Sequence, residues 1–228
     1  MKTILWDWNG TLLDDVEVSH SCLNDMLRRY GRPEVPTADA YRAIFGFPVR
    51  DYYARAGIGD DLFDEVAPLW MAAYMEREIT CGLRPDARAA LTAFRQAGYR
   101  QVILSASKRE NLLHQMERFD ILPFFDDVLG LSHIYATSKE GIGREWMERA
   151  AAQPADCVMI GDTLHDAEVA AALGCRCVLV CGGHQLPAAL RSAGCPVADS
   201  LADAARQVLE NGKDGSAERR SLQKKPIL

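Results

Sequence analysis

Four short apolar runs, TILW at 3–6, QVILS at 101–105, CVMIG at 157–161 and CVLV at 177–180, recur between longer stretches with helical spacing. A run that is apolar at every position, not at alternate ones, belongs to a strand covered on both faces. That is the condition of a parallel sheet lying between helices. DVLG at 127–130 is a weaker fifth run. Helical patterns cover Asp86–Ala97, Arg109–Phe119, Glu140–Ala152 and Asp166–Leu173, and the first and last are followed by Gly98 and Gly174, where a left-handed helix terminus favours glycine. The expected class is α/β, with a doubly wound parallel sheet.

One interval breaks the alternation. About ninety residues separate the first run from QVILS, where a strand-helix unit takes ~30. Residues 15–81 read as wholly helical, with patterns at 16–30, 37–45, 49–56 and 60–78. The expected organisation is an α/β core at 1–14 and 82–212, a helical cap at 15–81, and a disordered tail at 213–228, where GKDGSAERRSLQKKPIL lacks periodicity. Because the cap leaves the core at the end of the first strand, it should overhang the carboxyl ends of the strands, where open α/β sheets bind ligands.

Charge and cysteine content narrow the partners. Against 26 basic residues stand 32 acidic ones, a net charge of −6 without a basic stripe, so no nucleic acid is expected. No run approaches the ~18 apolar residues of a membrane span, and the expected location is the cytoplasm. Seven cysteines without regular spacing read as reduced thiols. Cys175, Cys177, Cys181 and His184 could suggest zinc, but a strand between Cys177 and Cys181 would hold them about 13 Å apart.

The polar residues at the strand ends carry the chemistry. Asp7 follows the first run, Ser105 ends the second, Asp162 and Asp166 lie in GDTLHD after CVMI, and Lys139 precedes the helix leading into that run. A doubly wound sheet brings these ends to one crevice. Acids, a hydroxyl and a lysine in one crevice suit a divalent cation and a phosphate. Taken singly, each has an ordinary role: Asp7 in a turn, Asp166 as a helix cap, Ser105 as a strand-end hydroxyl, Lys139 as a solvated helix start.

The ordered set resembles the haloacid dehalogenase-like (HAD) superfamily of hydrolases, in particular the phosphoglycolate phosphatase-like group with a helical C1-type cap. Asp7, Gly10 and Thr11 match its first motif, Ser105 its second, Lys139 its third, and Gly161, Asp162 and Asp166 its fourth. Glu140 stands where a proline often follows the lysine. The resemblance implies a phosphohydrolase acting on a small phosphorylated metabolite, with Asp7 as nucleophile and an aspartyl-phosphate intermediate. It implies Mg²⁺ held by Asp7, the Asn9 backbone carbonyl and Asp162, with Asp166 in support. Lys139 would offset charge, while Thr11, Ser105 and the amides near Gly10 and Ala106 would hold the transferring oxygens.

Asn9 departs from the pattern, because the family's phosphatases carry there a second aspartate that moves protons. Losing a general acid and base typically costs about 10²- to 10⁴-fold. The enzyme is therefore expected to be slow or restricted to good leaving groups such as acyl phosphates, with His20, Glu17 or His184 as replacement candidates. Open beside this are a phosphate-binding or regulatory protein with little turnover, a dehalogenase, and an engineered exchange at position 9. Phosphonatases of similar layout need a cap lysine, and residues 3–107 contain none. In the cap, IFGFPVRDYY at 44–53 resembles the specificity loop; Arg50 is either a contact for a second substrate anion or a solvated helix residue. Phe45, Phe47, Tyr52 and Tyr53 read as cap core, WMAAYM at 70–75 as an amphipathic face that could serve as an oligomer surface, and Asp14 and Asp15 as the start of the first cap helix.

Overall fold

The computed structural model describes residues 1–135 and 138–222, with side chains to residue 211. Strand β1 (Thr3–Trp6) is followed by β2 (Leu13–Asp14) and by four helices, α1 (Val16–Arg29), α2 (Ala38–Ile44), α3 (Val49–Arg55) and α4 (Asp60–Arg77). β3 (Gly82–Leu83) then pairs antiparallel with β2, which brings the two ends of the helical insert together. The chain continues through α5 (Ala87–Gln96), β4 (Arg100–Lys108), α6 (Arg109–Arg118), β5 (Asp127–Leu131), α7 (Glu140–Arg149) and β6 (Cys157–Gly161). It ends with α8 (Leu164–Ala172), β7 (Arg176–Val180), α9 (Pro187–Leu190), β8 (Val197–Ala198) and α10 (Leu201–Leu222).

Six strands form one parallel sheet in the order β5-β4-β1-β6-β7-β8. The chain moves outward from β1 to β4 and β5, then returns to lay β6 on the other side of β1. A crevice opens at the carboxyl end of β1 because of that reversal. Successive β1 side chains serve opposite layers: Ile4 and Trp6 pack with Phe94, Ile103 and Val208, whereas Leu5 packs with Leu104, Trp146 and Met159. Both faces of the sheet are thus covered, as the uninterrupted apolar runs require.

The insert has its own apolar centre, with Leu23, Tyr41, Tyr52, Ile58, Phe63 and Val66 buried together. The helical patterns foreshadow α1 to α4 to within two residues at each end. β2, β3 and β8 were not foreseen, since two-residue strands leave no periodicity to detect. The helical backbone of α10 extends into the segment expected to be a disordered tail, which has no proline before Pro226 to stop it; residues 223–228 lie outside the described residues.

One buried polar pair is built into this core. Trp6 Nε1 donates to Gln101 Oε1 at 3.0 Å, while Gln101 Nε2 donates to the Leu91 carbonyl at 3.0 Å. Gln101→Leu keeps comparable volume but leaves the indole N–H and that carbonyl without this partner. Its expected cost is about 1–3 kcal/mol, read from urea unfolding midpoints; a neutral substitution would mean that water replaces the amide.

Candidate active site

Asp7 follows β1 directly, and its backbone N–H still donates to the Ile160 carbonyl at 2.9 Å, so the carboxylate leaves from a fixed sheet position. The chain then turns sharply: the Trp8 carbonyl accepts from the amides of Thr11, Leu12 and Leu13 at 2.9–3.2 Å. Gly10 makes the turn possible. Its φ is +72°, and a Cβ there would meet Asp162 Oδ2 at 2.4 Å and His184 Cδ2 at 2.5 Å. Arg84 fastens the loop by donating to the Gly10 carbonyl at 2.9 Å and the Cys181 carbonyl at 2.7 Å.

After β6 the acids are placed by a helix cap. Thr163 and Asp166 form a capping box, in which Asp166 Oδ2 accepts from the Thr163 amide at 3.0 Å and its hydroxyl at 2.8 Å. The other oxygen, Oδ1, is left to face the crevice. Asp162 Oδ1 accepts from the Thr11 hydroxyl at 2.7 Å and Oδ2 from the His184 amide at 2.6 Å. Thr11, expected to hold phosphate, therefore commits its hydroxyl to positioning Asp162.

Lys139, just 2% exposed, donates to Asp7 Oδ1 at 2.5 Å and to Asp166 Oδ1 at 2.6 Å. Asp7, Asp162 and Asp166 each offer an oxygen within 4.8 Å of the others, close enough for one cation to meet all three. Burial drives the Asp7 carboxyl up to about 8 in spite of Lys139, with Asp166 and Asp162 adding repulsion. Burial also raises Asp162. For Asp166 burial is outweighed by the Lys139 charge and by hydrogen bonds from Lys139 and Thr163, which hold it low. Lys139 thus serves two of three neighbouring buried acids, which leaves an excess of negative charge that suits a divalent cation.

The Asn9 side chain is fully engaged. Oδ1 accepts from the Ser107 hydroxyl at 2.7 Å, and Nδ2 donates to Asp15 Oδ2 at 2.8 Å and to the Tyr74 hydroxyl at 2.9 Å. Asp15 is 1% exposed and also accepts from the Gly10 amide at 2.8 Å, the Tyr74 hydroxyl at 2.7 Å and His184 Nε2 at 3.1 Å. Burial opposes its charge, but His184 and these donors win and lower its pKa. His184 Nδ1 meets the Tyr41 hydroxyl at 2.8 Å, and Asp15, Asp162 and Asp7 raise the His184 pKa against the effect of burial. An amide at position 9 is what a buried anion at position 15 demands, since a carboxylate there would face another carboxylate.

Sequence reading placed Asp15 at a helix start, and it does occupy the N-cap position of α1, but its side chain makes no cap bond and turns inward. The signal was available: Asp15 shares a helical stripe with Ser19, Cys22, Leu23 and Met26, all buried. Among the replacement acids, His184 lines the same cavity as Asp7; His20 instead binds the Val35 carbonyl at 2.7 Å within the cap, and Glu17 is exposed. Ser105 and Ala106 line the cavity, and the Ser105 hydroxyl accepts from the Ser107 amide at 3.1 Å. Arg50 lies elsewhere, with its side chain 41% exposed, paired with Asp60 at 3.3 Å and Asp64 at 3.0 Å. Phe45, Phe47, Tyr52 and Tyr53 do line the cavity, as do Trp70, Met71 and Tyr74 of the WMAAYM helix, so that face turns toward the site.

Two outcomes follow from the Asn9–Asp15–His184 cluster. Asn9→Asp is expected to lower stability by about 1–3 kcal/mol, and adding Asp15→Asn should recover most of it; two additive losses in chemical unfolding would break this account. The pair also has a pH signature. His184 contributes fully below its ordinary 6.5 and loses that contribution as pH rises through its raised folded value. Asp15 contributes above its ordinary 3.8 and loses it as pH falls through its lowered folded value. The stability difference between wild type and the Asp15→Asn/His184→Gln double variant should therefore be greatest between pH 3.8 and 6.5 and shrink on both sides.

Comparison with known proteins agrees with this arrangement. The model of the haloacid dehalogenase-like hydrolase family matches residues 4–180. A phosphoglycolate phosphatase from Nitrosospira multiformis is 26% identical over 194 residues, covering 81% of this chain and 85% of the relative. The tyrosine-protein kinase PtkA from Mycobacterium tuberculosis is 27% identical over 188 residues, covering 80% of this chain and 63% of that protein. The crystal structure of a predicted phosphatase from Clostridium acetobutylicum superposes with a TM-score of 0.79 at 21% identity, covering 92% and 98% of the two chains. The four strand-end motifs meet in one buried cluster inside the matched region, and the chain belongs to the haloacid dehalogenase-like hydrolases.

Proposed function

We propose that this hydrolase is a Mg²⁺-dependent phosphatase of small phosphorylated metabolites that works through an aspartyl phosphate on Asp7. The observation that carries the reading is Lys139 bridging Asp7 and Asp166 beside Asp162, a charge arrangement suited to a phosphoryl group and a hard cation. The Nitrosospira relative, named a phosphoglycolate phosphatase, supports the same chemistry. PtkA is named a tyrosine-protein kinase, and a cavity of about 130 Å³, catalytic end included, favours a small substrate. Free thiols at all seven cysteines, and no described helix long and apolar enough to cross a membrane, are consistent with a cytoplasmic location.

The chain's own groups divide the work. Asp7 attacks phosphorus. Lys139 orients its carboxylate and offsets the charge that builds on the phosphoryl oxygens. The Ser105 hydroxyl accepts from the Ser107 amide, which leaves its hydrogen to donate to the phosphoryl group, and the Ala106 amide lies beside it. Mg²⁺ held by Asp7, Asp162, Asp166 and the Asn9 carbonyl would supply the positive charge that lets a carboxylate approach a phosphate dianion. Asn9 holds Asp15 in place and moves no proton, so turnover depends on the leaving group.

Mg²⁺-dependent phosphate release from acetyl phosphate is the direct assay, with faster turnover expected than on an alkyl phosphate. Asp7→Asn should abolish it, and Lys139→Met should reduce it by about 10²- to 10³-fold. If wild type releases no phosphate while vanadate still binds in the presence of Mg²⁺, the chain is a phosphate-binding protein and the enzymatic reading fails.

A further inference from the structure

The cap half of the cavity is built from rings. Phe45, Phe47, Tyr52, Phe63, Trp70 and Tyr74 line it, and Lys139 is its single lysine or arginine among the described residues. That lysine is already shared by Asp7 and Asp166, so nothing there is set to receive a second anion on the substrate. Arg50, the cap's candidate for that task, is held outside by Asp60 and Asp64. His184, which also lines the cavity, is taken by Asp15 at 3.1 Å, so a carboxylate-bearing substrate such as a phosphorylated hydroxy acid finds no uncommitted counterion among the described residues here.

Three polar groups lining this cavity make no well-formed hydrogen bond: Trp70 Nε1, His165 Nε2 and the Tyr52 hydroxyl, which has the Tyr41 hydroxyl beside it and is just 3% exposed. Buried polar groups are normally satisfied, and orphaned ones lining a cavity point to a ligand that satisfies them. Trp70 stacks on Tyr74 at 5.0 Å with the planes 13° apart, and the Tyr74 hydroxyl touches Asn9 and Asp15. The ring wall thus runs continuously to the catalytic end. At about 130 Å³, catalytic end included, the cavity is no larger than the ~150 Å³ apolar cavity that accepts benzene, so beside a phosphoryl group it leaves room for no more than one ring.

We propose that the substrate is the phosphate ester of a phenolic or enolic hydroxyl on a single planar ring that carries a hydrogen-bond acceptor for Tyr52 and Trp70. This rests on the phosphatase reading and extends it. It also explains how turnover can proceed with an amide at position 9. A phenol ionises near pH ~10, against ~15 for water and simple alcohols, so its oxygen leaves with the electron pair and takes a proton from solvent afterwards. In the first step the Asp7 oxygen forms a bond to phosphorus as the phosphorus–aryloxide bond breaks. In the second, water displaces Asp7 from phosphorus, its proton passes to solvent, and inorganic phosphate leaves.

Binding of non-hydrolysable phosphonates, followed by calorimetry with Mg²⁺ present, tests recognition apart from turnover. Benzylphosphonate bearing a para-carboxamide should bind at least tenfold tighter than ethylphosphonate or 3-phosphonopropionate. Its advantage over plain benzylphosphonate should fall about fivefold in Tyr52→Phe and in Trp70→Phe. Equal or tighter binding of 3-phosphonopropionate would overturn the proposal, and the wild-type series decides this even if a variant fails to fold. Phenyl phosphate and benzyl phosphate then share a ring but differ in leaving group: similar KM with kcat at least 10²-fold higher for phenyl phosphate is expected, and equal kcat overturns the leaving-group argument. If the ring-bearing phosphonates are preferred while no ester is hydrolysed, the phosphatase reading fails and ring recognition stands.

Discussion

Four buried carboxylates, Asp7, Asp15, Asp162 and Asp166, gather at the carboxyl ends of β1 and β6 against one lysine and one histidine. Burying charge without compensation is expensive, so much of the surrounding structure serves to satisfy these groups. Lys139 bridges two of them, the α8 capping box fixes one, Thr11 and the His184 amide hold another, and Asp15 collects four close donors. The glycines at 10, 161 and 183 belong to the same constraint, because a Cβ at any of them would come within 2.5 Å of an oxygen of Asp162 or Asp166. What remains is an excess of negative charge around Asp7, whose pKa burial raises in spite of Lys139, with Asp166 and Asp162 adding to the effect.

Asn9 joins this network to the cap. A second carboxylate at position 9 would compete with Asp15 for the same donors, whereas the amide supplies one donor to Asp15 and accepts from Ser107. Through Asp15 the network reaches Tyr74 on α4, His184 after β7 and, by way of His184, Tyr41 on α2. The amide at position 9 thus helps to fasten the cap to the core. The cap meets the core again where Phe45 stacks on His184 at 4.6 Å and Arg42 donates to the Gly183 carbonyl at 2.9 Å.

The convergence of the candidate residues was legible before any coordinates. Asp7, Ser105, Lys139, Asp162 and Asp166 stand beside strand ends or a helix start, and sheet topology alone brings such positions together. Other assignments turned on partners that residue type does not reveal. Arg50 stood open between an anion contact and a solvated helix residue, and Asp60 and Asp64 on the neighbouring helix pair with it. Thr11 looked like a phosphate donor, yet Asp162 lies 151 residues further on and takes its hydroxyl. Trp70 and Tyr74 line the cavity, and helical periodicity cannot say what a helix face meets.

The sequence by itself determined the layers, the helical insert and the order of the candidate site groups, because these depend on local periodicity and on the rule that parallel strands share one carboxyl edge. Tertiary structure decided the partnerships: that Asn9 serves Asp15, that His184 crosses from the far side of the core to pair with it, and that the cap turns rings toward Asp7. Such contacts join residues as much as 169 positions apart, and their strength comes from shared burial, which no local pattern encodes.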